Sequence, residues 1–589
     1  MKELLRDALT DSLKSLEEQH DVDLSTIKIE VKENKEKDFG DFSTNLALVL
    51  SKKLSEQPKK IAEILLGELD KKEFIDSIEI AGPGFINFFL SQTSRTEILK
   101  TVNKEKNKFG FSQKKETEQD KILIEYVSSN PTGPLHVGHG RGAAFGSVLS
   151  SILRATGNHV DEEYYVNDQG RQIEILSLSV WLRYLMIFNQ INLFPSNCYQ
   201  GTYIVELAEE LKRDYGEKFS ITKEIEDLIS EMLQLDMEEE ALDGLISQSK
   251  EALNESFDEI KSFVLNRILK NIEGDLKDFG VKHNSWFKES TMFRADKDKT
   301  PLINKALDSL EAKKQLYEKD GALWFKSTDF GDEKDRVVKR ENGATTYFAS
   351  DIAYHANKYD RGYSKIINIW GADHHGYLPR VKAAMSALDE DTDKFEVVFI
   401  QFANLIRNGK KLSMSTRAGE FISLSELIEE VTSEAARFFY INRKGNQHLD
   451  FDLDLAKEQS KDNPLYYVQY AHARICSVFD KLKENKKSYK ESIAMDSLDQ
   501  LNSEQEIEIQ KLLSQFPEVV IRSAANYEPH LICYYLRQLA GTFHSYYNNE
   551  KILVEEESTL QARLFLISAV RQVIFNGLTI LGISAPETM

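Results

Sequence analysis

Apolar and polar positions change rhythm twice along the chain. Residues 2–18 repeat apolar positions at helical spacing, with Leu4, Leu5, Ala8 and Leu9 set among Glu3, Arg6, Asp7 and Asp11, and residues 44–54 read as a second helix. The apolar runs 77–80 and 85–90 flank Ala81-Gly82-Pro83-Gly84, the pattern of two strands joined by a turn. Residues 1–110 are therefore expected to form an α+β unit, with the polar run 112–120 as a linker.

From residue 121 the pattern alternates strand and helix. Residues 121–127 read as a buried strand, 140–156 as a helix ended by Gly157, 160–166 as a strand and 173–188 as a helix. A helical, acidic insertion is expected over about 200–290. Strands follow at 322–325, 336–340, 365–371 and 395–402, with a helix at 352–359 and a hairpin turn at Asn408-Gly409. This alternation predicts an α/β domain over 121–420 built on a doubly wound, mainly parallel sheet. From 421 to 589 the periodicity is almost wholly helical, which predicts an all-α domain.

Length and charge bound this picture. A chain of 589 residues exceeds one core, and a net charge of −21 disfavours loose, sequence-blind binding to nucleic acid while leaving a shaped site possible. Cys198, Cys476 and Cys533 are far apart and in no CxxC spacing, as expected of a reducing cytoplasm and against a cysteine-based metal site. The first helix lacks the apolar core of a signal peptide. The apolar stretch 564–583 carries Arg571, Gln572 and Asn576, so a packed helix is expected rather than a membrane span, and the protein is expected to be a soluble cytoplasmic monomer.

Candidate chemistry concentrates after the strand 121–127, in the Gly/Pro-rich turn from Ser128 through Pro134, His136, Gly138 and His139 to Arg141. A strand, a Gly/Pro turn and a helix N-terminus form the setting in which α/β sheets bind phosphate, and His136 and His139 project from one face of the first turn. The pair alone is also compatible with surface residues or metal ligands, although a helical metal site would want a third ligand and usually i, i+4 spacing. We expect a nucleoside triphosphate across the turn and no metal held by protein side chains. The second turn, Ala372-Asp373-His374-His375-Gly376, follows the strand 365–371 and should face the first. A basic loop, 410–419, carries Lys410, Lys411 and Arg417 and fits closure on a polyphosphate; a solvated hairpin is the plainer alternative.

The His136-Val137-Gly138-His139 turn, a later Met-Ser-Thr-Arg loop and an all-helical C-terminal region together resemble a class I aminoacyl-tRNA synthetase. More narrowly, the chain resembles the arginyl-tRNA synthetase family from end to end. The likeness rests on Gly40-Asp41-Phe42-Ser43-Thr44-Asn45, Ala81-Gly82-Pro83-Gly84-Phe85-Ile86-Asn87, Ser129-Asn130-Pro131-Thr132-Gly133-Pro134, Tyr165-Val166-Asn167-Asp168, Trp370-Gly371-Ala372-Asp373-His374-His375-Gly376 and Asn463 through Arg474. It implies a Rossmann-type catalytic domain, an N-terminal domain on the tRNA D-arm and a C-terminal anticodon-binding domain. It further implies ATP-dependent activation of L-arginine and transfer to the 3′-terminal ribose of tRNA(Arg), with Mg2+ accompanying the ATP.

By the same resemblance, Pro134, His136, Gly138, His139, Met414 and Ser415 bind ATP. Glu125, Ser128, Asn130, His136, Tyr347, Asp351 and His374 line the arginine pocket, in which carboxylates would pair with the guanidinium. Asp351 alone could equally be a helix N-cap. Phe85 and Asn87 are implied in base reading in the D-arm, and Tyr466, Tyr470 and Tyr547 are candidates for the anticodon side. The chain departs from the family's Lys-Met-Ser-Lys-Ser loop: Ser413, Met414, Ser415, Thr416 and Arg417 stand there, so Lys410, Lys411 or Arg417 must supply the charge. Two other readings are a nucleotidylyltransferase acting on a small metabolite and a non-catalytic tRNA-binding paralogue.

Overall fold

The computed structural model describes residues 2–20, 22–34, 36–69, 72–112, 114–234, 239–295, 300–412 and 422–589. In the N-terminal region, strands β1 (Val31–Glu33), β2 (Phe42–Thr44), β3 (Ile75–Ala81) and β4 (Phe85–Leu90) form an antiparallel sheet in the order β1-β2-β4-β3. Alternate residues of β4, Ile86, Phe88 and Leu90, join Leu5, Leu9, Leu46 and Leu50 in one core. The helices Lys2–His20, Leu46–Leu54 and Pro58–Leu69 supply the rest of that core, and Phe85 points to the solvent side.

The central sheet contains β5 (Lys121–Glu125), β6 (His159–Val166) and β7 (Ser285–Lys288). After β8 (Leu316–Lys319), β9 (Ala322–Phe325) and β10 (Arg336–Lys339), it is completed by β11 (Lys365–Gly371) and β12 (Phe395–Ile400). All five of its strands run parallel in the order β12-β11-β5-β6-β7. The strand order reverses at β5 and β11, so the crevice beyond their carboxyl ends is the topological switch point. Both predicted turns open into that crevice.

Four local readings change. The strands β9 and β10 lie outside the parallel sheet, in an antiparallel sheet with β8, because only Asp320 and Gly321 join β8 to β9 and a parallel crossover needs a dozen or more residues. The strand β7, unforeseen within the stretch read as helical insertion, closes one edge of the central sheet. The insertion itself is helical over Thr202–Tyr215, Lys223–Met232, Glu239–Leu253 and Glu255–Asp278. The first helix of the α/β domain is Val137–Ala155, three residues longer at its start than its periodicity indicates. The helix expected at 352–359 is Tyr347–Asp360; its cap is Thr346, whose Oγ1 accepts from Ala349 N–H, so Asp351 is an interior residue and not the N-cap.

A hairpin of β13 (Ala403–Arg407) and β14 (Lys410–Lys411) turns through Asn408 and Gly409, both at positive φ (51° and 69°), and β13 also pairs with β15 (Leu449–Asp452). Beyond it the chain is helical, chiefly Pro464–Glu484, Glu504–Ala525, His530–Asn549 and Glu557–Leu581. The last is long and apolar enough to cross a membrane by length and composition. Its Leu564, Phe565, Leu566 and Ile567 are fully buried in the protein core, as the packed-helix reading expects.

Two guanidinium groups lock the Val137–Ala155 helix in place. Arg141, 1% exposed, donates to the carbonyls of Gln401 (2.7 Å), Gln447 (2.8 Å) and Lys444 (3.0 Å). Arg437, 2% exposed, donates to Leu581 O (3.0 Å), Phe279 O (3.1 Å) and Gly280 O (3.3 Å), and to Ser147 Oγ (3.3 Å). It thus meets the carbonyl ends of Glu255–Asp278 and Glu557–Leu581, where the helix dipoles are negative. Burial lowers its pKa to about 10, still charged at neutral pH. Arg437→Met strands those carbonyls without a donor and should cost roughly 2–4 kcal/mol of stability. Differential scanning calorimetry reads this as a lowered main transition; an unchanged melting temperature would contradict the role.

Candidate active site

The strand β5 ends in a sharp reversal. Val127 (φ 69°) and Ser128 (φ 42°) both occupy left-handed backbone, which is costly for a β-branched residue and characteristic of functional sites. The reversal is held on both flanks. Ser128 Oγ donates to Glu125 Oε1 (3.0 Å) and accepts from Tyr165 N–H (3.1 Å), while Ser129 Oγ lies 2.8 Å from Tyr164 Oη. Tyr203, from the first insertion helix, donates its hydroxyl to Thr132 O (2.7 Å) and braces the turn from above. Asn130 is exposed, its amide 3.0 Å from that of Asn167, and Pro134 is half-buried.

His136 is the N-cap of the Val137–Ala155 helix, with φ −105° and ψ 166°. Its Nδ1 accepts from Gly138 N–H (3.0 Å), and His139 Nδ1 accepts from His136 N–H (3.3 Å), a reciprocal box made of two imidazoles. The rings stack with centroids 3.8 Å apart. Each Nδ1 being an acceptor, each neutral ring carries its hydrogen on Nε2. Burial lowers the pKa of His136, and burial with the neighbouring His136 holds His139 down at about 3. The pair is therefore neutral at physiological pH, two N–H donors at the positive end of a helix.

Gly138 has a reason the sequence does not disclose. A Cβ there would stand 2.7 Å from His136 Cε1 and 2.9 Å from its Nδ1, so the capping ring itself needs the space. Phe402, 54% exposed, lies between the two turns: a Cβ on Gly138 would be 3.8 Å from Phe402 Cδ1, and one on Gly371 3.5 Å from Phe402 Cζ. The apolar run 395–402 places this ring in a strand, whereas β12 stops at Ile400.

Lys410 and Lys411 are exposed on β14; Ser413, Met414, Ser415, Thr416 and Arg417 lie outside the described residues. The chain returns at Ile422, whose carbonyl accepts from Val137 N–H (3.1 Å), and Leu424 N–H donates to Leu135 O (2.8 Å). Ser423 lies opposite His136 in a β-bridge. The residues that follow the basic segment are therefore hydrogen-bonded to the histidine turn.

Beyond the carboxyl ends of β6 and β11 a group of acidic residues gathers. Tyr347, 61% exposed, opens the Tyr347–Asp360 helix, and a Cβ on Gly170 would be 3.1 Å from its hydroxyl. Asp351, one turn further on, accepts a short hydrogen bond at Oδ2 from the Tyr377 hydroxyl. Glu289 is buried, and the Asn167 amide, oriented with its nitrogen inward, reaches Glu289 Oε2 at 2.5 Å. Asp168 accepts from Ser290 N–H (2.8 Å) and Oγ–H (2.7 Å). Burial raises Asp351 to about 7, with Glu289 and Glu125 adding and Tyr377 opposing; burial and then Asp168 raise Glu289 to about 7. Burial opposes the charged form of both carboxyls, and the neighbouring acids add to it.

Glu125 differs from them. It is buried, and its Oε2 accepts from the fully buried Lys358 ammonium (2.5 Å), which also donates to Asn368 Oδ1 (2.8 Å). The residue expected to await a guanidinium thus already has an internal cation. His374 is exposed on the 3₁₀ turn Ala372–Tyr377, 3.5 Å from Asp373 Oδ2. Glu289, Tyr377, Phe402 and Tyr203 do not stand out in the sequence. The motif ending at Gly376 stops one residue short of Tyr377, and Glu289 sits inside the stretch read as insertion.

Far from this crevice, Phe85 is 41% exposed and Asn87, on the same face of β4, 4% exposed. On the C-terminal helices Tyr466 and Tyr470 stack (centroids 5.9 Å), and Arg474 lies over both Tyr470 (4.5 Å) and Tyr547 (4.7 Å).

Comparison with known proteins bears on the whole chain. Residues 2–90 match the arginyl tRNA synthetase N terminal domain, 99–453 the catalytic domain of tRNA synthetases class I (R), and 468–589 the DALR anticodon binding domain. The arginine–tRNA ligase of Legionella pneumophila (strain Corby) is 46% identical over 593 residues, covering 100% of both chains. That of Nitrosomonas eutropha is 48% identical over 568 residues, 96% of this chain and 95% of the relative. The Thermus thermophilus arginyl-tRNA synthetase structure shares the fold, with TM-score 0.71 over 100% of both chains at 22% identity. Near-half identity from end to end, on a parallel sheet whose switch point holds the two-histidine turn, establishes that this chain belongs to the arginine–tRNA ligase family of class I tRNA synthetases.

Proposed function

We propose a division of labour among the residues of this crevice for the reaction of an arginine–tRNA ligase. The protein activates L-arginine with ATP: a carboxylate oxygen of arginine attacks the α-phosphorus and pyrophosphate leaves. The 3′-terminal ribose hydroxyl of tRNA(Arg) then attacks the carbonyl carbon, giving the ester and releasing AMP. The observation that carries the assignment is the sheet's switch point: His136 and His139 follow β5, and Tyr377, bonded to Asp351, ends the turn that follows the neighbouring strand β11.

His136, His139 and the N–H groups of the helix start stabilise the charge that grows on the phosphate oxygens, a task for donors fixed before the reaction begins. Pro134 and Gly138 border the nucleotide, with Phe402 as an exposed apolar surface for its base. Lys410, Lys411 or Arg417 supplies positive charge from the loop that bears Met414 and Ser415. Asp351, Glu289 and the Tyr347 hydroxyl take the guanidinium. Glu125, held by Lys358 and Ser128, forms the pocket floor, while Asn130 and His374 serve the amino-acid head group.

Magnesium enters with ATP. The helix start offers imidazole nitrogens and amides rather than the oxygen ligands magnesium prefers, so phosphate and water would carry the ion, and no step above is routed through it. The N-terminal domain, residues 1–110 with Phe85 and Asn87, serves the tRNA D-arm, 121–420 the chemistry and 421–589, with Tyr466 and Tyr470, the anticodon. The chain is proposed to act as a monomer. The buried, unpaired cysteines accord with a cytoplasmic protein.

The test is charging of total tRNA with ATP and each amino acid in turn: arginine alone should be esterified, and charging of a different amino acid, or of none, would overturn the reading. His139→Ala should slow adenylate formation about 10²–10³-fold, and Gly138→Ala should act in the same direction by displacing the His136 ring, as measured by ATP–pyrophosphate exchange in the presence of tRNA. For the pocket, protonation of Asp351 and Glu289 removes the charge that holds the guanidinium. Arginine KM should therefore rise as pH falls through about 7 and level off above it. Asp351→Asn should raise arginine KM and flatten this profile; a wild-type profile in that variant removes Asp351 from the pocket.

A further inference from the structure

We propose that Tyr377 is a positioning residue for arginine recognition, holding the Asp351 carboxylate in register and tying the guanidinium pocket to the His374 turn. This rests on the reading of Asp351 as a guanidinium partner. The two residues belong to different elements: Asp351 to the Tyr347–Asp360 helix, Tyr377 to the end of the 3₁₀ turn Ala372–Tyr377 at the carboxyl end of β11. Residues 373–376 of that turn are exposed, and Tyr377 turns inward to donate its hydroxyl to Asp351 Oδ2. Its ring is fixed independently of that bond, edge-on to Trp370 (centroids 6.2 Å) and beneath the Arg380 guanidinium at 5.3 Å. The hydroxyl is therefore delivered by a ring that packing holds in place.

Three consequences follow from this geometry. With Oδ2 engaged, Oδ1 and the remaining lone pairs of the carboxylate face the ligand, and rotation about the terminal side-chain torsion, otherwise broad, is stopped. The bond also favours the charged form of Asp351 in a setting that otherwise opposes it. Burial is the largest influence raising its pKa, Glu289 and Glu125 add to it, Lys358 on the same helix pulls it down, and Arg380 and Arg336 act on Tyr377. Finally, the turn has two side-chain anchors among the described residues, His375 stacked on Phe399 (3.6 Å) and Tyr377 on Asp351, so seating of the substrate side chain is coupled to the placement of His374.

Tyr377→Phe keeps the ring and its packing and removes only the hydroxyl. Steady-state kinetics of this variant should show arginine KM raised about 10-fold, the scale of one hydrogen bond to a charged group, with ATP KM within twofold of wild type. The pH below which arginine KM climbs should move upward, because Asp351 has lost a group that favours its charged form. In an Asp351→Asn background the same substitution should add less than twofold. If Tyr377→Phe leaves arginine KM and its pH profile unchanged while Asp351→Asn impairs both, the positioning role is wrong and the pocket reading stands. If Asp351→Asn is itself neutral, the pocket reading falls and the proposal with it. A loss confined to kcat or to thermal stability, with arginine KM unmoved, also overturns it.

Discussion

The buried guanidinium of Arg437 is the contact on which the arrangement most depends. It collects carbonyls from the ends of an insertion helix and of the C-terminal helix and reaches Ser147 on the helix that starts at the histidine turn. Three distant regions of the chain share one cation, whose charge is offset by the carbonyl ends of two helices and by the Glu162 and Glu434 carboxylates. Arg141, bound to three carbonyls, repeats the device nearer the site. Together they fix the direction of a helix whose first turn must aim two imidazoles to within fractions of an ångström, the tolerance that preorganised donors require.

Two kinds of electrostatic preparation meet in the crevice. On the phosphate side, the hydrogen bonds to Nδ1 fix the tautomers and burial removes the charge, leaving donors that need no rearrangement when the oxyanion forms. On the side we propose for the amino acid, carboxyls are gathered by burial and proximity, and a guanidinium is the complement that such a group calls for. Glu125 shows how that gathering is bounded: Lys358 neutralises one acid at the floor, so the pocket presents a limited negative charge and not the sum of all its carboxyls.

The sheet was legible because 121–127 and 365–371 are nearly unbroken apolar runs, the pattern of strands buried on both faces. The edge strand β7 was not: Ser-Trp-Phe-Lys is too short to display a period. The strands β9 and β10 were visible as strands, but their pairing is a tertiary property, set by the two-residue connection before β9. Among the site residues, His136, His139 and Asp351 stood out by motif and chemistry, yet the capping role of His136 was hidden because histidine is not among the usual N-cap residues. Asp351 read equally as a cap until Thr346 was seen to hold that position. Glu289 and Tyr377 carry no local signature; each matters only because another element brings a partner to it.

The loop that departs from its family also has fixed ends. Lys411 is held in β14, and the Ile422 carbonyl accepts a hydrogen bond from the backbone of Val137, so one end is set by a hairpin and the other by the first residue of the helix that carries the histidines. The cation we propose for the triphosphate is therefore encoded between two points that the fold already holds. A strict lysine spacing is one way to bring charge to the phosphates. A backbone anchor beside the imidazoles is another, and it does not depend on where along the sequence the basic residue falls.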